Sequence, residues 1–219
     1  MVEEKTLIED QFSDAKDNKY IYIFIKRLID IIASFLGLII LSPVFFIVSI
    51  AIKLDSKGPV FFTQRRIGVM GRPFYMYKFR SMVINAEDIK ENLKGQNEMS
   101  GPMFKMKNDP RITKVGRFIR KTSIDELPQL LNVLKGEMSL VGPRPSLSKE
   151  VEQFEPWMME RLIIKPGITC YWQVMGRNSI GFEDWMKLDV KYVHERSLIL
   201  DLKLIFRTFF VLFGDENAS

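Results

Sequence analysis

One cysteine and one histidine in 219 residues exclude several whole classes of chemistry. A lone Cys170 can form no internal disulfide and no multi-cysteine metal site, which suits a reducing compartment. No histidine stands near it in the sequence, so it reads as a buried thiol and not as an activated nucleophile. His194, followed by Glu195 and Arg196, reads as a structural residue. The chain also lacks a Walker loop and a dinucleotide glycine fingerprint, which removes kinase and Rossmann-type readings. Internal repeats and low-complexity blocks are absent. Nor is there a secretory signal: the first twenty residues are acidic and polar, and no small-residue cleavage site closes the apolar run that follows.

That apolar run is the first positive feature. Residues 28–52 are apolar except for Asp30, three serines and one glycine. As one straight helix they would reach about 37 Å, enough to cross a hydrocarbon core of about 30 Å. Ser42-Pro43 sits near the middle, and an interior proline removes a backbone hydrogen bond and clashes with the preceding turn, so a kink or break is expected there. Lys19, Lys26 and Arg27 precede the run, and Lys53, Lys57, Arg65 and Arg66 follow it. Cations on both flanks favour both ends on the cytoplasmic side, hence a re-entrant hairpin rather than a kinked single-pass helix. The net charge of +5 is uneven: six acids against three lysines in residues 1–20 leave +8 for the remainder. A basic body fits anionic lipid, nucleic acid or phosphorylated substrates, and the long apolar run favours lipid.

The expected organisation is a mobile polar tail (1–19), a re-entrant membrane hairpin (20–57) and a catalytic domain (58–219). The fold class expected is mostly α with a small β element. β-prone runs at 58–68 and 74–82 flank the turn Gly71-Arg72-Pro73, with helices around 84–94, 114–120, 126–135 and 148–163 and a loop over 95–111. The final apolar stretch, Leu198 to Phe213, carries Asp201, Lys203 and Arg207, so it is expected to lie in a membrane interface, a packed core helix being the plainer alternative.

The densest chemistry lies in Ser123-Ile124-Asp125-Glu126-Leu127-Pro128. Ser123-x-x-Glu126 fits an ordinary capping box. Pro128 argues against it, because a helix starting at Ser123 puts the proline beyond the free N–H positions, whereas a start nearer Asp125 makes it harmless. Both carboxylates then sit at a helix mouth, where phosphate is favoured. Two acids beside a phosphorylated substrate repel it unless a hard cation such as Mg²⁺ intervenes. Lys78, Arg80, Arg111, Arg117 and Arg120 could neutralise a diphosphate. Gly142-Pro143-Arg144-Pro145 is a stiff turn that either redirects the chain or presents Arg144 to a ligand.

Several blocks occur in a fixed order: Lys26-Arg27-x-x-Asp30, Ser42-Pro43, Gly58-Pro59-Val60-Phe61-Phe62, Lys78-Phe79-Arg80-Ser81-Met82, the long run from Ser123 to Pro145, and Lys165 to Asn178. Over roughly residues 24–213 the chain resembles the bacterial sugar transferases, the monotopic phosphoglycosyl transferases. The resemblance implies a sugar-1-phosphate transferred from a UDP-sugar to a membrane polyprenol phosphate, with UMP released, on the cytoplasmic face of a bacterial inner membrane. It implies Asp125 as nucleophile, Glu126 as Mg²⁺ ligand, and Lys78, Arg80 and Arg120 on donor phosphates. It places Pro143, Arg144 and Pro145 at the uridine, and Arg177 at a phosphate or the acceptor headgroup. Cys170 and Trp172 depart from the family's usual glycine and small residue. Larger relatives carry several membrane helices and an extra domain before this core, so the minimal catalytic form is expected. Nucleic acid is not an expected partner. A membrane-tethered basic scaffold and a metal-dependent UDP-sugar pyrophosphohydrolase are the competing readings.

Overall fold

The long apolar segment breaks at Leu41. In the computed structural model, which describes residues 20–93, 95, 106, 108–175 and 180–214, α1 (Tyr20–Ile40) and α2 (Ser42–Asp55) meet at a bend of 58°. Pro43 lies in the first turn of α2, where its missing N–H costs nothing, so the break falls just before it. No single helix among the described residues is long and apolar enough to cross a membrane, whereas the bent pair passes that test together. α1 is turned inside out relative to a soluble helix: Phe24, Ile32, Phe35 and Ile39 are exposed, and only Asp30 and Ser34 are buried.

The polar residues of α1 attach it to the rest. Asp30 accepts hydrogen bonds from Ser139 Oγ at 3.1 Å and the Leu140 N–H at 2.9 Å. Arg27 donates to the carbonyls of Val133 and Leu134, at 2.6 and 2.8 Å, in the last turn of α5 (Gln129–Lys135). A cation there satisfies orphan carbonyls and complements the helix dipole. Lys26 pairs with Asp201 at 2.7 Å, which ties α1 to the C-terminal helix.

β1 (Phe61–Ile67) and β2 (Pro73–Phe79) form an antiparallel hairpin in register Phe61↔Phe79 to Ile67↔Pro73. Phe79 packs with Val48 and Ile52 of α2 and Ile119 of α4 (Lys114–Lys121), which joins the hairpin to the membrane-like segment. α3 (Ala86–Leu93) follows the hairpin. β3 (Ser139–Val141) and β4 (Gly167–Thr169) form a short parallel pair. α6 (Ser148–Val151), α7 (Tyr171–Met175), α8 (Phe182–Glu195) and α9 (Leu198–Gly214) complete the described chain. α9 buries Asp201 and Leu204 and exposes Ile199, Leu202, Phe206, Phe209 and Phe210, an apolar outer face.

The fold is mostly helical with a small β element, as expected, but among the described residues three elements differ. The helix expected over 126–135 starts only at Gln129, and Asp125 and Glu126 occupy a preceding 3₁₀ turn (Ile124–Glu126). The helix expected over 148–163 is α6 followed by a 3₁₀ segment (Pro156–Leu162). Pro156 is the cause, since it holds Glu155 in extended geometry, with φ −69° and ψ 157°. The β3–β4 pair was not anticipated, three residues being too short to show a period. The tail 1–19, most of the 95–111 loop and Arg177 lie outside the described residues.

Candidate active site

Ser123 has a left-handed backbone, φ 54°, and its side chain makes no capping bond, so the capping-box reading does not describe this turn. Such a conformation is costly for a residue with a side chain and recurs at functional turns. Here it ends α4 and starts the 3₁₀ turn in which Ile124 packs into the core while Asp125 and Glu126 line a cleft of about 620 Å³. That volume falls within the roughly 300–1,000 Å³ of small-molecule sites. Behind the turn, Asn132 holds α5 against the hairpin: it accepts the Tyr77 N–H at 3.0 Å and donates to Tyr75 O and Glu137 Oε2, both at 2.7 Å.

Alternation along β2 puts Lys78 on the side opposite the buried Phe79. Its Nζ lies 2.6 Å from Glu126 Oε1 and 3.9 Å from Asp125 Oδ2. Arg144 Nη1 reaches the same Glu126 oxygen at 3.3 Å. The two acids therefore diverge. Burial acts to raise the Glu126 pKa, but Lys78 and Arg144 overcome it and hold the carboxyl down at about 2. Asp125 is raised, because burial outweighs the pull of Lys78 and the charge of Glu126 adds to it. A fixed carboxylate thus stands beside a poorly solvated one, the more basic and more nucleophilic of the two.

Arg144 is half-buried between the buried Pro143 and Pro145. Its turn starts where β3 and β4 almost touch: a Cβ on Gly167 would lie 2.0 Å from the Gly142 nitrogen, so only glycine permits the approach. Arg120 is exposed on α4 and lines the cleft, whereas Arg117 is exposed outside the lining. Arg111 also lines it, with its guanidinium on both Asp109 oxygens at 2.9 and 2.6 Å. Arg80 stands in the wall, but its guanidinium donates to the carbonyls of Ile52, Ser56 and Lys57, where it closes the C-terminal end of α2. Its visible work is to fix the bent helix pair against the site.

Two cleft residues escape a charge-based reading. Arg66 resembles one more flanking cation in the sequence, yet it donates to Pro145 O at 3.0 Å and to Gln64 Oε1. Trp172 lines the cleft with its ring 5.7 Å from the Arg144 guanidinium carbon and stacked on Trp185 at 5.0 Å. The only sequence signal for Trp172 is a bulky aromatic in a block where the family resemblance leads one to expect a small residue.

Among the described residues no three His, Cys, Asp or Glu side chains converge into a metal cage. Asp125 and Glu126 still fit Mg²⁺, which is commonly bound by one or two carboxylates together with substrate phosphates. Both cations meet Glu126 through Oε1, which leaves Oε2 for a metal.

A basic cleft built around an acid pair is set beside an outward-apolar helix pair, and its charge pattern suits an anionic ligand. The chain belongs to the bacterial sugar transferase family, whose model matches residues 21–215. Galactosyl transferase CpsE of Streptococcus agalactiae is 50% identical over 202 residues, covering 92% of this chain and 45% of its own length. The undecaprenyl-phosphate galactose phosphotransferase of Salmonella typhimurium is 44% identical over 199 residues, 89% of this chain and 42% of its own. The chain thus spans less than half of each of these relatives. Exopolysaccharide production protein ExoY of Rhizobium meliloti is 39% identical over 187 residues, with 84% of this chain and 83% of ExoY covered.

Proposed function

We propose that the chain is a phosphoglycosyl transferase that moves a sugar-1-phosphate from a UDP-sugar to a membrane polyprenol phosphate and releases UMP. The observation that carries this reading is the division between the two acids: Glu126 is held ionised by Lys78 and Arg144, while Asp125, 3.9 Å from Lys78, is buried and left to react. An oxygen of Asp125 attacks the sugar-bearing phosphorus, the phosphorus–oxygen bond to UMP breaks, and UMP departs with that electron pair. The polyprenol phosphate oxygen then attacks the same phosphorus and breaks its bond to Asp125, which restores the carboxylate. Two displacements suit a site that serves a soluble donor and a lipid acceptor, because the two need not be bound together.

Lys78, Arg120 and Arg144 neutralise the donor phosphates, and the Pro143–Pro145 turn fits the nucleotide end. Mg²⁺, held by Glu126 and the diphosphate, would offset the charge that accumulates on the leaving phosphate. The bent helix pair enters the cytoplasmic leaflet of a bacterial inner membrane and returns, and the apolar face of α9 lies in the interface. The name of the relative ExoY, an exopolysaccharide production protein, supports exopolysaccharide assembly as the setting.

Incubation with a panel of UDP-sugars, without lipid, tests the reading. It predicts a burst of about one equivalent of UMP with the matching donor, plus a sugar-phosphate mass increment on the peptide bearing Asp125, abolished by Asp125→Asn. Steady UMP release without lipid would instead mark a pyrophosphohydrolase, and no UMP under any condition a scaffold.

A further inference from the structure

The segment Pro143-Arg144-Pro145 is short of donors. Neither proline has an N–H, so neither can donate a backbone bond that would close the turn. Its position is set by donors reaching in from outside. The Pro143 carbonyl takes the Gly167 N–H at 2.9 Å, and the Ser146 carbonyl takes the Ile67 N–H at 2.8 Å. The two carbonyls between them go to arginines: Arg66 Nη1 reaches Pro145 O at 3.0 Å and Arg161 Nη2 reaches Arg144 O at 2.6 Å.

These arginines differ in what they can touch. Arg66 lines the cleft and could meet substrate itself, whereas Arg161 is sealed away from it, its side chain 1% exposed and that of its partner Asp189 0%. Asp189 Oδ2 accepts from Arg161 Nε at 3.1 Å and Nη2 at 2.6 Å, and Ser146 Oγ accepts from Nη1. The guanidinium carbon lies 5.4 Å from the centre of the Phe154 ring and 5.5 Å from that of Trp185. A buried ion pair is a poor source of stability, since apolar replacements often serve a fold as well. Its distinctive product is a fixed direction: a planar fork locked by Asp189 presents its remaining donors to Arg144 O and Ser146.

We infer that Arg161, oriented by Asp189, is a positioning residue for donor recognition: it fixes the main chain of Arg144, so that the Arg144 guanidinium stands over the cleft beside Glu126. The inference rests on the donor reading proposed above. Arg161 touches no substrate and acts through Arg144 alone.

The full chain in lipid nanodiscs is the test material, with UDP as the probe for binding by calorimetry and UMP release for kinetics. Arg161→Lys keeps the charge but cannot span Asp189, Ser146 and Arg144 O together. Expected is a rise of roughly tenfold in both the donor KM and the UDP Kd, the scale of one lost charge-assisted hydrogen bond, with a much smaller change in kcat. In an Arg144→Ala background the same substitution should add nothing, because its route of action is gone. A merely structural residue would lower the melting temperature and the folded fraction while the surviving enzyme kept its KM and UDP affinity, or would add its full effect on top of Arg144→Ala; either result overturns the inference. If Arg161→Lys does not fold, Ser146→Ala, which removes one of the fork's acceptors, carries the test. It should weaken UDP binding roughly threefold, again only while Arg144 is present. An unchanged affinity in Ser146→Ala would then overturn the inference. Wild-type protein that binds no UDP would overturn the donor reading and this inference with it, whereas wild-type binding with an unaltered Arg161→Lys overturns the inference alone.

Discussion

Replacing Lys78 by methionine should make the acid pair measurable from outside. The substitution keeps an aliphatic stem of similar length and removes the ammonium that sits 2.6 Å from Glu126 and 3.9 Å from Asp125. The Glu126 carboxyl, now at about 2 against an ordinary 4.5, would keep only Arg144 and move back toward the ordinary value. The present depression corresponds to about 3 kcal/mol at 1.36 kcal/mol per pKa unit. Arg144 supplies part of it and the side chains are 16% and 20% exposed, so the share lost with Lys78 is about 1–2 kcal/mol. The sign follows from linkage. A depressed carboxyl contributes stability that is fully present above its unfolded value and disappears as pH falls through the folded one. Thermal unfolding should therefore show wild type more stable than Lys78→Met at pH 6–7, with the Glu126 share of the gap closing between about pH 4.5 and 2. Asp125 responds in activity. Its pKa is already raised by burial, and without the opposing pull of Lys78 it climbs further, so the acid limb of kcat/KM should move to higher pH. An acid limb that stays in place while stability falls would show that Asp125 does not titrate in the reaction, and the assignment of the nucleophile would fail.

Excess chelator should abolish UMP release and added Mg²⁺ restore it; full turnover in chelator would remove the metal from the scheme. In a Cys170-free background, cysteines placed at Lys19 and Lys57 should both resist a membrane-impermeant thiol reagent applied outside intact cells, and labelling of one flank alone would mean a spanning helix. Pro43→Ala should straighten the junction between α1 and α2, convert the segment to a spanning topology in the same labelling assay and abolish transfer. Gly167→Ala should displace the Gly142 backbone, because a Cβ would lie 2.0 Å from that nitrogen, and so raise the donor KM through Arg144 while costing more than about 2 kcal/mol of stability; an unchanged KM would show that the β3–β4 junction does not set the Arg144 turn.

The features legible in the sequence are those fixed by local chemistry. Pro43 dictates the break wherever the chain lies, so the bend at Leu41 could be read directly. Two β-prone runs and the turn between them gave the hairpin, and the Asp125-Glu126 pair announced itself beside Pro128. The helix start was misplaced because proline is harmless in the whole first turn of a helix, which leaves two or three registers open, and Ser123 settled the matter with a left-handed backbone that no pattern encodes. Cations were the hardest to place, since a sequence records a charge but not its partner. Arg80, Arg111 and Arg144 looked alike along the chain; the fold sends the first to helix-end carbonyls, the second to Asp109 and the third to Glu126. Arg161 carried no signal at all, being one basic residue between Glu160 and the apolar Leu162-Ile163-Ile164, yet it is among the most deeply buried side chains described. What separates these arginines is the set of acceptors each can reach, and that set is made by long-range packing. A charge-based reading of such a site finds its region and its acids, and only the accounting of every carbonyl around Pro143 and Pro145 shows which cations are free to meet a substrate and which exist to hold the others in place.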